Sequence, residues 1–351
     1  MSKVNNYKKA GVNINAGNLF VKKIKRTVLS THIKGTIKNF GLFGGFFDIS
    51  KLNYKKPILV SSVDGVGTKI KIAQELNKYD TIGVDLVAMC MNDILVHGAK
   101  PIFFLDYIAT NKLNIRNAQK IINGISKGCM QAKCSLLGGE TAEMPGIYKK
   151  NDFDLAGFGV GIIEKKNLIT GQNIKSGDIV IGLKSSGFHS NGFSLIRHIL
   201  KKKKISYNIK VNSKIKNLGQ FLIKPTKIYS KIILSLTKKK LLNGISHITG
   251  GGIIENLPRV IPKGLSVDFK NHNWKLPYIF KWISEKGNIK FNEMLRVFNC
   301  GIGMTIFCSS KKLNIIQNIL SNQKENYIYL GRVTKNRKKI QLKNLKESWK
   351  N

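Results

Sequence analysis

The stretch Pro57-Ile58-Leu59-Val60-Ser61-Ser62-Val63-Asp64-Gly65-Val66-Gly67-Thr68-Lys69 sets the architecture of the chain. Its first half, through Ser62, reads as a β-strand, because the run Ile58-Leu59-Val60 suits a pleated, packed surface. The strand delivers a loop in which Gly65 and Gly67 let the backbone approach an anion, and Lys69 adds a mobile positive charge. Asp64 can hold a cation shared with that anion. The spacing of a Walker A loop, GxxxxGK[ST], is absent. The loop is therefore a phosphate site of another kind, or a tight turn with a solvated lysine.

Downstream, residues 80–97 read as a helix with an apolar stripe of Leu86, Val87, Cys90, Ile94 and Leu95. Around its axis Asn92 lies about 20° and Asp93 about 80° from Asp85, so three oxygen-bearing side chains share one broad face. Such a face suits Mg²⁺, which takes one or two carboxylates plus waters and substrate phosphates. A solvated polar face is the alternative, and the interleaved Met89 and Met91 weigh against full exposure. A strand follows at Ile102–Tyr107 and a helix at Asn114–Cys129. A short strand at Ser135–Leu137 runs into Gly138-Gly139-Glu140 and places Glu140 at a strand tip, where α/β proteins build sites. Phe153–Ile163 is a glycine-rich strand.

Upstream, the first fifty residues show weak periodicity. They read as an extended arm or mobile flap containing Gly44-Gly45-Phe46-Phe47. Past Phe153–Ile163, the polar stretch Lys165–Gly177 marks a domain boundary. A second alternation of elements follows, with strands at Asp178–Leu183, Phe298–Phe307 and Tyr327–Val333 and helices at Gly192–Leu200 and Thr226–Thr237. The expectation is an α/β (α+β) protein with an arm at 1–56, an α/β domain at 57–168 and a second α/β domain at 169–351.

Two loops in the second half could carry chemistry. Ser185-Ser186-Gly187-Phe188-His189-Ser190-Asn191-Gly192 precedes a helix and offers hydroxyls and amides to an anion. His189, with an ordinary pKa of about 6.5, can act as acid or base or serve as a turn residue. The spacing is not that of a GxSxG nucleophile elbow. His247-Ile248-Thr249-Gly250-Gly251-Gly252 is a similar loop, and a helix entry capped by Thr249 would read the same.

Composition narrows the classes. The chain has 351 residues, 42% of them hydrophobic, enough for two cores. Met1–Phe20 has no apolar signal region, and no run approaches the roughly 20 apolar residues of a membrane span. The expectation is a cytoplasmic protein without a membrane partner. The five cysteines are odd in number and form no CxxC pair, which argues against a disulfide framework or a zinc site. The net charge of +41 invites a nucleic-acid reading. The charge is nearly all lysine and is spread along the chain, whereas base and phosphate recognition favours arginine, so no nucleic-acid partner is expected. Of the 19 acids, 11 lie between Ser61 and Glu164. That local excess suits a Mg²⁺ site, or a set of caps and surface pairs.

Together these segments resemble the phosphoribosylformylglycinamidine cyclo-ligase (aminoimidazole ribonucleotide synthetase) family. The likeness runs from Tyr7-Lys8-Lys9-Ala10-Gly11-Val12 to Asn299-Cys300-Gly301-Ile302-Gly303-Met304. It is most specific at Asp64–Lys69, at Gly83–Asp93 and at Phe104-Leu105-Asp106-Tyr107. The resemblance implies a two-domain ATP-binding fold without a P-loop and a homodimer formed through the N-terminal sheet. It implies ATP-dependent ring closure of formylglycinamidine ribonucleotide. On the residues, it implies that Asp64, Asp93 and Glu140 hold Mg²⁺. ATP and its phosphates would meet Asp64, Gly65, Gly67, Thr68, Lys69, Asp85, Asn92, Gly138, Gly139, Gly250 and Gly251. The substrate would meet Ser186, Gly187, His189, Ser190 and Asn191, with Lys69, His189 and His247 acting in catalysis. Asn13 and Asn15 depart from the family's early acids, and residues 200–216 and the tail after Lys335 match it poorly. The competing readings are a selenophosphate synthetase or thiamine-phosphate kinase of the same superfamily, a basic nucleic-acid-binding protein, and an inactive relative.

Overall fold

The computed structural model describes residues 7, 9–38, 41–269, 274–336, 338–342, 345 and 349. The chain divides into two compact units, and the change from one to the other falls at Glu164/Lys165. The segment Leu95–Ala99 counts with the second unit.

The first unit contains helix α1 (Ile14–Leu29), strand β1 (Pro57–Gly65), helices α2 (Lys69–Glu75) and α3 (Asp80–Leu95), strand β2 (Lys100–Thr110), helix α4 (Ile115–Ala132) and strands β3 (Ser135–Glu143) and β4 (Phe153–Glu164). The sheet order is β1-β4-β2-β3, antiparallel except for the β2/β3 pair. Helices lie on one face. α3 approaches β4 so closely that a Cβ on Gly159 would sit 3.0 Å from the Ile94 side chain. On the other face Leu59, Val63, Tyr107 and Phe158 remain exposed.

The expected extended arm contains a helix instead. Asn13 caps α1, its side chain accepting from the Ala16 N–H, while Phe20 and Val28 supply the buried side. Thr27 Oγ1 donates to Asn123 Oδ1 of α4 at 3.2 Å. The apolar stripe of α1 is narrow between lysines, so its period is faint in sequence. Residues 1–6, 8, 39 and 40, within the expected arm and flap, and most of the tail past 342 lie outside the described residues.

The second unit has strand β5 (Ile179–Lys184), helices α5 (Phe193–Lys202), α6 (Leu218–Leu222) and α7 (Ser230–Lys238), strand β6 (Gly244–His247), helix α8 (Gly252–Asn256), strand β7 (Leu265–Phe269), helices α9 (Tyr278–Gly287) and α10 (Phe291–Val297), strand β8 (Ile302–Cys308), helix α11 (Leu313–Asn322) and strands β9 (Tyr327–Lys335) and β10 (Ile340–Gln341). Its sheet runs β10-β7-β9-β5-β8-β6, with β5 buried in the middle. One core joins Ile179, Ile181 and Leu183 of β5 to Ile233 of α7 and Ile316 of α11. Strands β6 and β7 were not expected from sequence; each is only four or five residues long and carries no strong alternation.

Candidate active site

In the first unit, Asp64 of β1 lies opposite Gly157 of β4, which lies opposite Asp106 of β2, which lies opposite Gly139 of β3. Directly paired residues project to the same face of a sheet. This row faces the helix layer, because a Cβ on Gly157 would sit 2.3 Å from Phe104 Cζ and 3.0 Å from Leu86 Cγ. A Cβ on Gly139 would sit 2.4 Å from Asp106 Oδ1. Only glycine fits beside Asp106 on that side.

Cys90 of α3 lies below the row, its thiol donating to Gly157 O at 3.3 Å. Burial pushes that thiol's pKa up, and the neighbouring Asp64 and Asp93 carboxylates add to the effect. Asp64, at a strand end, and Asp93, on a helix, thus both act electrostatically on one thiol.

Glu140 does not join them. β3 continues to Glu143, so Glu140 sits within the strand and not at its tip. It pairs with Tyr107, one step along from Asp106–Gly139, and the strand's period of two turns it to the opposite face. Among the described residues no three His, Cys, Asp or Glu side chains come together as a metal site. The expected set is thus split, with Asp64 on the helix-facing side of the sheet and Glu140 on the opposite one.

The face shared by Asp85 and Asn92 on α3 is not a solvated one. Asp85 and Asn92 are completely buried. Lys69, the first residue of α2, is buried with them, its Nζ 2.9 Å from Asp85 Oδ1 and 2.8 Å from Oδ2. Burial lowers the Lys69 pKa, and Asp85 works against that shift. The lysine expected to be mobile is a fixed tie between the loop after β1 and α3. Helical periodicity gives α3 a polar side, and Lys69 of α2 answers it from within the protein.

Glu143 closes the same end of the sheet. Its Oε2 accepts from the Asn13 N–H at 2.6 Å and its Oε1 from the Leu113 N–H at 2.7 Å. Asn13 thereby keeps the helix-capping role that an aspartate would have, since the two residues cap equally well.

In the second unit, β5 delivers the loop 185–192. His189 is 2% exposed, adopts φ 60°, and accepts the Ser186 N–H on Nε2 at 3.2 Å. Ser186 Oγ donates to Pro225 O at 2.7 Å, and Ser190 Oγ lies 3.2 Å from Thr226 Oγ1. Asn191 Oδ1 would be 3.5 Å from a Cβ on Gly250, so this loop and the loop 247–252 meet. His247, at the end of β6, is 6% exposed. Asn299, for which sequence reading gave no role, holds the first loop in shape. Its Oδ1 accepts from Ser185 Oγ at 3.2 Å and from the Gly301 N–H at 2.8 Å, and its Nδ2 donates to Gly187 O at 2.9 Å. Its place in the motif Asn299-Cys300-Gly301 was the available signal.

Comparison with known proteins follows the same residues. The AIR synthase related protein N-terminal domain matches residues 51–163, and the corresponding C-terminal domain matches residues 175–343. The phosphoribosylformylglycinamidine cyclo-ligase of Lawsonia intracellularis is 48% identical over 329 residues, 94% of each chain. That of Ligilactobacillus salivarius is 49% identical over 331 residues, 94% of this chain and 96% of the other.

The chain belongs to the phosphoribosylformylglycinamidine cyclo-ligase family.

Asp64, Lys69, Asp85, Asp93, Asp106 and Glu140 lie in the region shared with the family's N-terminal domain, and His189, His247 and Asn299 in that shared with its C-terminal domain. More distant structures share the fold. Thiamine-monophosphate kinase from Stenotrophomonas maltophilia superposes with a TM-score of 0.63 at 12% identity, covering 91% of this chain and 94% of its own. The Escherichia coli hydrogenase maturation protein HypE gives 0.62 at 13% identity, covering 90% and 91%. Thermotoga maritima PurL complexed with AMPPCP gives 0.53 at 13% identity, covering 90% of this chain and 44% of that one.

Proposed function

We infer that this chain catalyses the ATP-dependent cyclisation of formylglycinamidine ribonucleotide to aminoimidazole ribonucleotide, with release of ADP and phosphate, in purine biosynthesis. The observation that carries this reading is 48% identity to a cyclo-ligase along 94% of the chain. The substrate's amide oxygen takes the γ-phosphoryl group as its bond to ADP breaks. A substrate nitrogen then attacks the activated carbon, and phosphate leaves with that oxygen. The attacking groups belong to the substrates, so the protein's work is positioning and charge neutralisation.

Asp64 and Asp93 hold Mg²⁺ in this reading. Their shared electrostatic effect on the Cys90 thiol supports it, since Mg²⁺ needs only one or two carboxylates beside its waters and the phosphates. When bound, the ion neutralises charge on the ATP phosphates. Gly65, Gly67 and Thr68 offer backbone to those phosphates, and the Lys69–Asp85 pair with Asn92 fixes the loop that carries them. His189, Ser190 and Asn191, with His247, contact the ribonucleotide, and Gly250 and Gly251, which the resemblance assigned to the ATP phosphates, are placed beside them. The meeting of their two loops at Asn191 and Gly250 supports that grouping.

The protein works as a homodimer through the outer face of the first unit's sheet. Support comes from the exposed Leu59, Val63, Tyr107 and Phe158, an apolar patch of the kind that marks an interface. Glu140 projects to that same face and so serves the site of a second copy rather than its own Asp64. A cytoplasmic location goes with the biosynthetic role; among the described residues no helix is long and apolar enough to cross a membrane. A coupled assay tests the function. The protein should release ADP only with formylglycinamidine ribonucleotide present and form aminoimidazole ribonucleotide in equal amount. ADP without ring product would overturn the reading.

A further inference from the structure

The loop 185–192 has two sides. Its later residues turn toward Thr226 and Gly250, the side assigned above to the ribonucleotide. Its first residues, Ser185, Ser186 and Gly187, the last two of which the resemblance assigned to the substrate, line instead a separate space, a cavity of about 850 Å³ at the end of β5 where β9 begins. None of His189, Ser190, Asn191, His247 or Gly250 lines it. The cavity lies wholly within the second unit.

Its walls are unusual for this chain. Five of its sixteen described lining residues are aromatic, against 9% of the whole sequence. Trp274 is held rigidly, its indole N–H donating to Cys300 O at 3.1 Å and its ring packed 5.2 Å from Trp349. Tyr329 Oη accepts from Arg332 Nε at 3.1 Å. Phe221 carries the Lys224 ammonium 4.5 Å above its ring. Lys184 and Lys275 stand in the lining, and among the described lining residues no carboxylate does. Lysine is common everywhere in this protein and by itself would signal nothing. Lysines at a concave, aromatic-walled space with no acid among the lining residues select for a ligand with both a ring and negative charge. The volume is too large for a free phosphate and falls in the range of sites for drug-sized molecules, roughly 300–1,000 Å³.

We propose that this cavity is a second ligand site, distinct from the reacting centre, for a phosphate monoester carrying a heteroaromatic ring, in class a nucleoside monophosphate. The ring stacks among Phe221, Tyr327 and Tyr329, and the phosphate meets Lys184 and Lys275. Ser185–Gly187 belongs to both sides of the loop, so occupancy of the cavity bears on the loop's ribonucleotide side.

The test uses the full-length protein with its ATP site saturated by a non-hydrolysable ATP analogue. A purine nucleoside 5′-monophosphate, the bare nucleoside and inorganic phosphate are titrated separately by calorimetry and by Trp274 fluorescence, with Trp274→Phe as the optical control. The monophosphate should bind once per chain with a Kd on the order of 10 μM, and each fragment at least about tenfold more weakly. The double variant Lys184→Ala/Lys275→Ala should lose at least about tenfold in that affinity, the usual worth of a charge-assisted contact. Tyr329→Ala should weaken the nucleoside as well as the monophosphate. Lys275→Ala alone should leave the Michaelis constant for formylglycinamidine ribonucleotide unchanged, which keeps this proposal separable from the assigned reaction. No saturable binding up to millimolar monophosphate would overturn it, as would binding indifferent to both the lysines and Tyr329. A raised Michaelis constant for the ribonucleotide in Lys275→Ala would also overturn it, by making the cavity part of the substrate site.

Discussion

Lys69 Nζ bridges both carboxylate oxygens of Asp85, at 2.9 and 2.8 Å, with neither side chain reaching solvent. A buried ion pair adds little net stability over apolar groups of the same shape, but breaking it leaves a charge stranded. Lys69→Met or Asp85→Leu alone should cost about 3–5 kcal/mol in urea unfolding, and the double variant should recover most of that loss. The kinetics of the double variant separate two roles. If the pair only fixes the loop, turnover should stay within about tenfold of wild type. A loss on the order of 10³-fold in a stably folded double variant would show that Lys69 meets the transferring phosphoryl group.

Asp64→Asn and Asp93→Asn should each raise the Mg²⁺ concentration for half-maximal activity by at least about tenfold, because each removes a carboxylate assigned to the ion. Circular dichroism should be unchanged, since neither residue belongs to the apolar core. Wild-type Mg²⁺ dependence in Asp93→Asn would remove it from the metal site.

His189 accepts a backbone N–H with Nε2 and is nearly sealed from solvent. That geometry suits a residue that shapes and presents its loop. His189→Gln should raise the Michaelis constant for formylglycinamidine ribonucleotide by roughly tenfold and leave turnover within about threefold. A fall in turnover of roughly 10²–10⁴-fold would instead identify it as a proton-transfer group.

Burial pushes the Asp106 carboxyl up to about 7, against the pull of its own backbone N–H. The folded state therefore holds a proton that the unfolded chain releases near pH 4. The resulting stability is fully present below about pH 4 and is lost as pH rises through about 7. Asp106→Asn abolishes this dependence. Relative to wild type, the variant should be more stable at pH 8 than at pH 5, by a few kcal/mol across that range. Parallel Tm profiles for the two proteins would contradict the buried, protonated state.

Val63→Lys or Phe158→Lys should disrupt the dimer. Each places a charge on the outer sheet face, and the expected result in sedimentation velocity is a folded monomer. Activity should fall with the dimer, because Glu140 projects to that face and not toward Asp64. A fully active monomer would count against a shared site.

The sequence by itself determined the order of elements around Asp64–Lys69, the glycine-rich loops and the family, because strand patterns, turn residues and motif spacing are local properties. It did not show that Asn13 caps a helix, because scattered lysines hide that helix's apolar period. It could not say which acids share a face. Asp64, Asp106 and Glu140 look equivalent as carboxylates at strand ends. Only the register across β1, β4, β2 and β3 puts the first two beneath the helices and the third on the open side. Nor could helical periodicity reveal that Asp85 is sealed against Lys69, since a polar face on a helix reads the same whether water or a buried ammonium answers it. Burial and pairing come from residues distant in sequence, and those contacts exist only once the sheet and its helix layer have assembled.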